Sequence, residues 1–241
     1  VLMCLLLSNF IVGTAMADVT VRVDLQTYEF DHEPRLVEVL ASMANKQNWY
    51  WPSAVLFQEN NNELETTRKL LLNNLSALSQ YYKTDKPKLA QSIEQLKTTI
   101  ASWRLAKRLP VKVDYDLARI VAASNPQLPH GKYILELNER KNTVQLFGAV
   151  HQTIRNTHQS NSDTSQYISD QLRTELANKD YVMLIQADGR KLKVPVAYWN
   201  KKHQEVMPGS QLFVPFNESL FKPEFKLINQ QIVSLALNRL Q

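Results

Sequence analysis

The sequence predicts an α+β protein built from two domains. Short runs that alternate apolar and polar residues, typical of half-buried strands, occur in both halves of the chain. Between them, residues 60–107 carry two heptad-like apolar repeats, typical of a pair of packed helices. With 241 residues, of which 44% are hydrophobic, the chain can bury the core of one large domain or of two small ones.

Residues 1–17 have the pattern of a secretory signal peptide. They carry no charge and end in Ala-Met-Ala, the small-x-small motif of a cleavage site. We expect cleavage after Ala17, export to the periplasm and a mature chain that begins at Asp18. The apolar run is shorter than the roughly 20 residues that a membrane-spanning helix needs. Lipid attachment at Cys4 is the alternative, but only three residues precede that cysteine.

Residues 18–130 are predicted to form the first domain. Residues 19–25 alternate apolar and polar side chains, which predicts a strand, and a second strand is expected over 27–30. Pro34 precedes a helical apolar pattern over 35–44. Strand, strand and helix in this order are how a small ubiquitin-like β-grasp domain begins.

A helical hairpin is predicted inside the first domain, over about residues 60–107. Its two helices, 60–85 and 86–107, each carry an apolar face, and these faces should pack together. We expect the break near Thr84, with Asp85 as the N-cap of the second helix. A coiled coil with a partner is the alternative use of these faces, but the short connection favours an intramolecular pair.

Residues 131–216 are predicted to form the second domain, because the Pro- and Gly-containing stretch 125–133 suits an inter-domain connection. Strands over 133–137 and 143–147 are expected to pair as a hairpin. The polar stretch 151–165 is predicted to be an exposed loop, and histidines in such a loop are expected to be solvated.

The rest of the second domain is predicted to contain one helix and four strand segments, of which two overlap at 194–196. The helix is expected over 166–177, and Asp188-Gly189 is a strong turn signal between two of the strands. The other two strands are joined by a polar connection that closes with a turn at 208–210. The strand segments are 181–186, 191–196, 194–199 and 211–216.

Residues 217–241 are predicted to form a C-terminal segment with an amphipathic helix over 223–241. Apolar residues cover one wide face, and a polar stripe of Gln231, Ser234 and Asn238 lines the other. We expect this helix to pack on the second domain and not to span a membrane, because the stripe would be costly against lipid.

Three tryptophans are candidates for glycan or interface contacts: Trp49 and Trp51, in the aromatic cluster 49–57, and Trp199. Flat rings match the apolar faces of sugars, so the cluster could serve as a stacking platform. Packing in the core or at a domain interface is the alternative that we favour for the cluster, because aromatic rings bury large areas.

Charge and motifs exclude several classes of site. Lys and Arg exceed Asp and Glu by 28 to 23, a modest excess that permits attraction to an acidic glycan but lacks the clustering of a nucleic-acid binder. The five histidines show no metal-ligand spacing, so no metal or cofactor is expected. Asp114 and Asp116 would lie on one face of an extended segment, about 7 Å apart, and we favour a surface pair over a catalytic pair.

Six short motifs, taken together, carry a family resemblance. They are V-A-Y-W-N-K at 196–201, P-G-S-Q-L at 208–212, R-L-P-V-K at 108–112, W-P at 51–52, N-P at 125–126 and G-A-V at 148–150. In their order along the chain they resemble the GfcC family, periplasmic proteins encoded with capsule and exopolysaccharide export systems. The resemblance implies two tandem β-grasp domains, a helical hairpin inserted in the first, and a C-terminal amphipathic helix, an arrangement similar to the middle domains of the outer-membrane capsule exporter Wza.

The resemblance implies a non-enzymatic periplasmic accessory protein for the assembly or export of a capsular polysaccharide or exopolysaccharide. The partner it implies is the export machinery of the outer membrane, with an acidic polysaccharide as a further candidate. Two alternatives stay open at this point, a soluble glycan-binding module and a polysaccharide-processing enzyme.

The resemblance also singles out Arg108, because the matching arginine of the family lies in a central pocket and is linked to correct localisation. We expect Arg108 to be largely buried where the hairpin and the two domains converge, with its guanidinium holding backbone carbonyls or a carboxylate. The alternatives are an arginine that binds an anionic glycan or partner from a pocket and an ordinary exposed arginine.

Overall fold

The computed structural model describes residues 19–218 and 224–240, which contain ten strands and five α-helices. The predicted signal peptide, Cys4 and Asp18 lie outside the described residues. The strands are β1 (Val19–Val23), β2 (Gln26–Phe30), β3 (Val55–Gln58), β4 (Lys107–Arg108), β5 (Gly131–Glu136), β6 (Thr143–Gly148), β7 (Ile154–Thr157), β8 (Tyr181–Ile185), β9 (Lys191–Pro195) and β10 (Gln211–Val214). The helices are α1 (Leu36–Ala41), α2 (Asn62–Tyr82), α3 (Pro87–Ala101), α4 (Tyr115–Ile120) and α5 (Glu224–Leu237).

The first sheet has the strand order β2-β1-β5-β3-β4. β1 runs parallel to β5, and the other neighbours are antiparallel. The alternation predicted for the first strand is confirmed, because Val19, Val21 and Val23 are buried on one face. Helix α1 packs its apolar residues into the same core, although it is shorter than the predicted range 35–44.

The second sheet has the order β7-β6-β10-β8-β9, with β6 parallel to β10 and all other neighbours antiparallel. Numbered from its own first strand, this sheet repeats the order of the first, 2-1-5-3-4, including the parallel pair. The chain is therefore an α+β protein with two five-stranded mixed sheets of the same topology.

The division between the sheets falls between β5 and β6 and not before residue 131. The hairpin expected from 133–137 and 143–147 does not form, because β5 lies between β1 and β3 in the first sheet. Apolar β5 side chains such as Tyr133 and Leu135 belong to the first core, whereas Val144 and Leu146 of β6 belong to the second. Alternation alone does not reveal which strand is the partner.

The helical hairpin is present and breaks between Tyr82 and Pro87, as predicted. The expected N-cap at Asp85 is wrong: Pro87 is the first helical residue, and Lys86 takes the cap position without a side-chain hydrogen bond. The apolar faces of α2 and α3 pack in one core with the second sheet and α5. Trp103, after α3, contacts Phe147 of β6 edge to face with centroids 5.7 Å apart.

The predicted helix over 166–177 is wrong. This stretch contains two short 3-10 turns, Thr164–Tyr167 and Asp170–Leu172. Its backbone closes short turns, as from Gln166 to Asp163 and from Arg173 to Asp170, and Thr174 donates both its N–H and its hydroxyl to the carbonyl of Ala149. Ser, Asp and Thr side chains that compete for backbone groups disfavour a continuous helix.

The polar stretch 151–165 is more ordered than predicted. It contributes the edge strand β7, and three of its polar residues, Ser162, Asp163 and Thr164, are buried. His158 is also buried, and its Nε2 donates to the carbonyl of Val206 at 2.9 Å. The expectation of a solvated histidine is therefore wrong for His158.

The strand predicted over 194–199 is wrong, because most of this stretch belongs to the connection between β9 and β10. β9 ends at Pro195, after which Asn200 Oδ1 accepts the N–H of Ala197 and closes a turn. β10 forms within the predicted 211–216 range and enters the middle of the sheet, between β6 and β8. The side chain of Asn200 thus holds the chain in a turn just after β9.

The C-terminal helix α5 packs on the second sheet, as predicted, and also against α2. Asn229 forms a fork with the end of β10: its Oδ1 accepts the N–H of Phe216 and its Nδ2 donates to the carbonyl of Phe216. Residues after the helix pair with the chain that leaves the hairpin, through Leu105 and Arg239. Among the described helices, none is long and apolar enough to cross a bilayer.

Candidate functional site

A cleft of about 720 Å³ lies where the two sheets, the end of α5 and the chain leaving the hairpin meet. One wall is formed by the segments 51–54 and 108–114 from the first half of the chain. The other consists of the β8–β9 turn, 188–190, and the last residues of α5, 237–238. Its lining combines tryptophan, proline and aliphatic side chains with Arg108. The cleft is therefore lined by residues from both halves of the protein.

The backbone of Arg108 is fixed from two sides. Strand β4 pairs Arg108 with Phe57 of β3, and the Arg108 N–H donates to Asn238 Oδ1 at 2.8 Å. One guanidinium N–H donates to the carbonyl of Ala187 at 3.3 Å. The side chain thus reaches from the edge of the first sheet to the β8–β9 turn of the second.

Burial of Arg108 is less complete than expected, because the residue is half-buried and lines the open cleft. Partial burial lowers the pKa of the Arg108 guanidinium, and the charges of Asp188 and Glu136 oppose that shift. An arginine remains protonated under any physiological condition. The cleft therefore presents a fixed positive charge.

Several neighbouring charges in the cleft have partners of their own. Asp188 accepts the Nε–H of Arg190 at 2.6 Å and the Arg190 backbone N–H at 3.0 Å. Asp114 Oδ1 accepts the N–H of Leu117 and caps α4. Lys112 also lines the cleft, as an exposed cation. Arg108 differs from it in being half-buried and held in place by Asn238 and Ala187, so its guanidinium is a positioned donor for an anion.

Contrary to the sequence prediction, Asp114 and Asp116 do not lie together on one face of an extended segment. The segment is extended up to Asp114, but a helix that the sequence analysis missed, α4, begins at Tyr115. Asp114 is its N-cap and Asp116 lies in its first turn, 3.7 Å from Arg119. The sequence contained the signal, since aspartate before a helical apolar pattern is a favoured N-cap.

The three candidate tryptophans occupy different environments. Trp51 lines the cleft and also packs against the first core. Trp49 packs on the same core and donates its indole N–H to the carbonyl of Met43 at 2.9 Å, consistent with the packing role that we favoured. Trp199 is 75% exposed in the β9–β10 connection beside exposed Tyr198, and it does not line the cleft.

The arrangement can hold an elongated ligand with an anionic group. Trp51, Leu109 and Val111 offer apolar surface, and Arg108 offers planar N–H donors suited to a carboxylate or phosphate. Within residues 19–218 and 224–240, no group of three or more metal-ligating side chains converges.

Fold and site define a two-sheet α+β protein with a cationic cleft between its halves. Family comparison extends this description. The model described as "Capsule biosynthesis GfcC, N-terminal" matches residues 15–140, and the model described as "Capsule biosynthesis GfcC C-terminal" matches residues 152–241. The chain belongs to the GfcC capsule biosynthesis family. The first match ends just after β5, in agreement with the assignment of β5 to the first sheet.

A protein of Escherichia coli (strain K12) is also similar to this chain. It carries the name "Uncharacterized protein YjbG" and is 30% identical over 193 residues. The alignment covers 80% of this chain and 78% of that protein. An alignment of 193 residues is long enough to include residues of both sheets.

Proposed function

We propose that this protein is a non-enzymatic periplasmic accessory factor in the assembly or export of a capsular polysaccharide or exopolysaccharide. Membership of the capsule biosynthesis family supports the pathway. The observation that carries the proposal is the position of Arg108, held by Asn238 and Ala187 at the junction of the two sheets while its charge lines a cleft of about 720 Å³.

Within this proposal, each sheet belongs to a β-grasp domain, and the tandem arrangement is like that of the middle domains of the exporter Wza. The shared strand order 2-1-5-3-4 with a parallel central pair supports the β-grasp assignment. The hairpin α2–α3 is inserted between β3 and β4 of the first domain and packs on the second. It would fix the angle between the domains and hence the width of the cleft.

The proposed location is the periplasm, reached through the signal peptide at residues 1–17 and cleavage after Ala17. The proposed partner is the export machinery of the outer membrane. An apolar wall beside the positioned guanidinium of Arg108 suits a protein segment with an acidic side chain, because such a segment satisfies both surfaces at once.

A soluble glycan-binding module is the second candidate, and one observation favours it. Trp51 and Arg108 line the same cleft, so a ring for sugar stacking and a cation for a sugar carboxylate lie in one site. The two candidates differ in what the purified protein binds, a partner protein or the polysaccharide itself.

The experiment is deletion of the gene in its native host, with complementation by the full chain. The proposal predicts that polysaccharide is still synthesised but is lost from the cell surface, and that mass spectrometry finds an exported protein beginning at Asp18. Normal surface polysaccharide, or retention of residues 1–17, would contradict it. Release of sugar from the polysaccharide by the purified protein would replace the non-enzymatic role with the enzymatic alternative.

A further inference from the structure

A second cationic pocket, of about 200 Å³, lies on the second half of the molecule. Three cations line it: Lys141 from the β5–β6 connection, Arg155 from β7, and Arg239 from the residues after α5. They are far apart in sequence, and the fold brings them to one place. Neither Arg108 nor Trp51 lines this pocket.

Two of these cations are held in position by their surroundings. Arg239 donates to Gln145 Oε1 at 2.7 Å, and its guanidinium lies 5.2 Å from the ring centroid of Trp103. Lys141 is half-buried, and its stem lies close to Gly209, where an added Cβ would be 3.6 Å from the Lys141 Cδ. Arg155 projects from an edge strand and is exposed. The pocket thus has two anchored cations and one that can adjust to a ligand.

The three positive charges act on one another. Burial lowers the pKa of Lys141, Arg239 and Arg155 lower it further, and Glu136 opposes them. Burial likewise lowers the pKa of Arg239, the charge of Arg155 adds to that effect, and the charge of Glu136 opposes it. In the part of the chain that the structure describes, no carboxylate forms an ion pair with either arginine. Convergent like charges are unfavourable, and an anion bound among them would relieve the repulsion.

We propose that Lys141, Arg155 and Arg239 form a binding site for the carboxylate of one acidic sugar unit. Guanidinium groups bind carboxylates with paired hydrogen bonds, and the pocket is large enough for a single sugar ring but not for a folded partner. The Oε1 of buried Gln211, which lines the pocket, has no hydrogen-bond partner among the described residues. The choice of a sugar acid among anions rests on the proposed function, whereas the anion site does not.

The test is an NMR titration of the full-length protein with glucuronate, using glucose and inorganic phosphate as comparison ligands. Glucuronate is expected to shift the backbone amides of Gly209 and Ser210, which line the pocket, and glucose is not. Phosphate that binds as tightly as glucuronate would show selection for charge alone and would overturn the sugar assignment. No shift at Gly209 and Ser210 with any ligand would overturn the site.

Matched variants separate this site from nonspecific charge attraction. Arg155→Gln should weaken glucuronate binding about tenfold or more, because it removes a charge-assisted contact. Arg140→Gln removes the same charge from the neighbouring connection, outside the pocket, and should leave binding unchanged. Equal weakening in both variants would overturn the proposal.

The variant Arg108→Ala distinguishes this site from the cleft. It should retain the Gly209 and Ser210 shifts, because Arg108 does not line the second pocket. If Arg108→Ala abolishes surface polysaccharide but Arg155→Gln changes no glucuronate binding, the proposed function stands and the second site falls. Loss of the glucuronate shifts in Arg108→Ala would contradict two separate sites.

Discussion

The guanidinium of Arg108 lies against Gly189. A Cβ added to Gly189 would lie 2.5 Å from the Cζ of Arg108, closer than any side chain tolerates. Gly189 has a positive φ of 89° in the β8–β9 turn. The turn that joins two strands of the second sheet is therefore also the surface on which the arginine of the first sheet rests.

This contact predicts that Gly189→Ala displaces Arg108 without unfolding the protein, because the flexible end of the arginine can move away. Gly209→Ala is the matched control: its φ is 84°, but an added Cβ would meet nothing closer than 3.6 Å. Both variants should lose about 1–2 kcal/mol of unfolding free energy from backbone strain. Denaturant unfolding should give similar losses in the two variants, and Gly189→Ala should reduce surface polysaccharide at normal protein abundance. Normal surface polysaccharide with Gly189→Ala would contradict the role of the contact.

Replacements of Asp114 and Asp116 should have different effects on the stability of the protein, and neither aspartate is expected to act in catalysis. Asp114→Ala removes the N-cap of α4 and should cost about 0.5–2 kcal/mol of unfolding free energy. Asp116→Ala removes an exposed charge and should change it by less than about 0.5 kcal/mol. Urea unfolding measures both values. Loss of export in Asp116→Ala at normal protein abundance would revive the carboxylate as a functional group.

Asn229 should be the residue on which the docking of α5 depends. Asn229→Ala leaves the buried N–H and carbonyl of Phe216 without their side-chain partner, at a cost of about 2–4 kcal/mol. Gln230→Ala, one residue away on the exposed face, should be nearly neutral. Thermal unfolding of the two variants compares them. A small effect at Asn229 would mean that apolar packing alone holds α5.

Asp163 should make stability depend on acid pH. Burial alone would raise the pKa of Asp163, but hydrogen bonds from Ser165 and from the backbone of Gln204 outweigh it and lower the pKa. The stabilising contribution is present above the ordinary carboxyl pKa and is lost as the pH falls through the lowered value. Asp163→Asn should therefore cost about 1–3 kcal/mol at pH 7, and the difference from wild type should shrink in acid.

The control for this pH dependence is Asp85→Asn, at an exposed aspartate between α2 and α3. This replacement removes an exposed charge and should change the unfolding free energy at pH 7 by less than about 0.5 kcal/mol. A constant gap between wild type and Asp163→Asn from pH 7 down to pH 3 would contradict the lowered pKa of Asp163.

The sequence predicted elements whose pattern is local. The alternation of Val19, Val21 and Val23 fixes one buried face, and the apolar repeats of α2 and α3 fix the hairpin. The sequence did not reveal which strands pair. β5 and β6 are both rich in apolar and aromatic residues and are separated by a short polar stretch, yet tertiary packing puts them in different sheets.

The site was predictable only in part. Arg108 was found because a motif resembles a family, and Asp188-Gly189 was recognised as a turn, but nothing local shows that the two meet. The same holds for Lys141 and Arg239, which are 98 positions apart and share a pocket. Contacts between distant segments depend on how the hairpin and α5 position the two sheets relative to each other. The periodicity of apolar residues along the chain does not indicate that position.

Replacing Arg108 should affect function more than stability. The residue is half-buried, and its side chain makes one hydrogen bond to protein, to Ala187. Arg108→Ala should therefore lower the unfolding free energy by less than about 1 kcal/mol. Arg108→Lys keeps the charge but loses the planar fork of donors, so it should also impair the site.

The most direct measurement is surface polysaccharide in a deletion strain complemented with Arg108→Ala, taken beside the abundance and unfolding free energy of the same variant. We expect a stable protein at normal abundance and little polysaccharide at the cell surface. Normal surface polysaccharide with Arg108→Ala would contradict the central claim that the cleft is the functional site, and a large loss of stability would assign Arg108 to the fold instead.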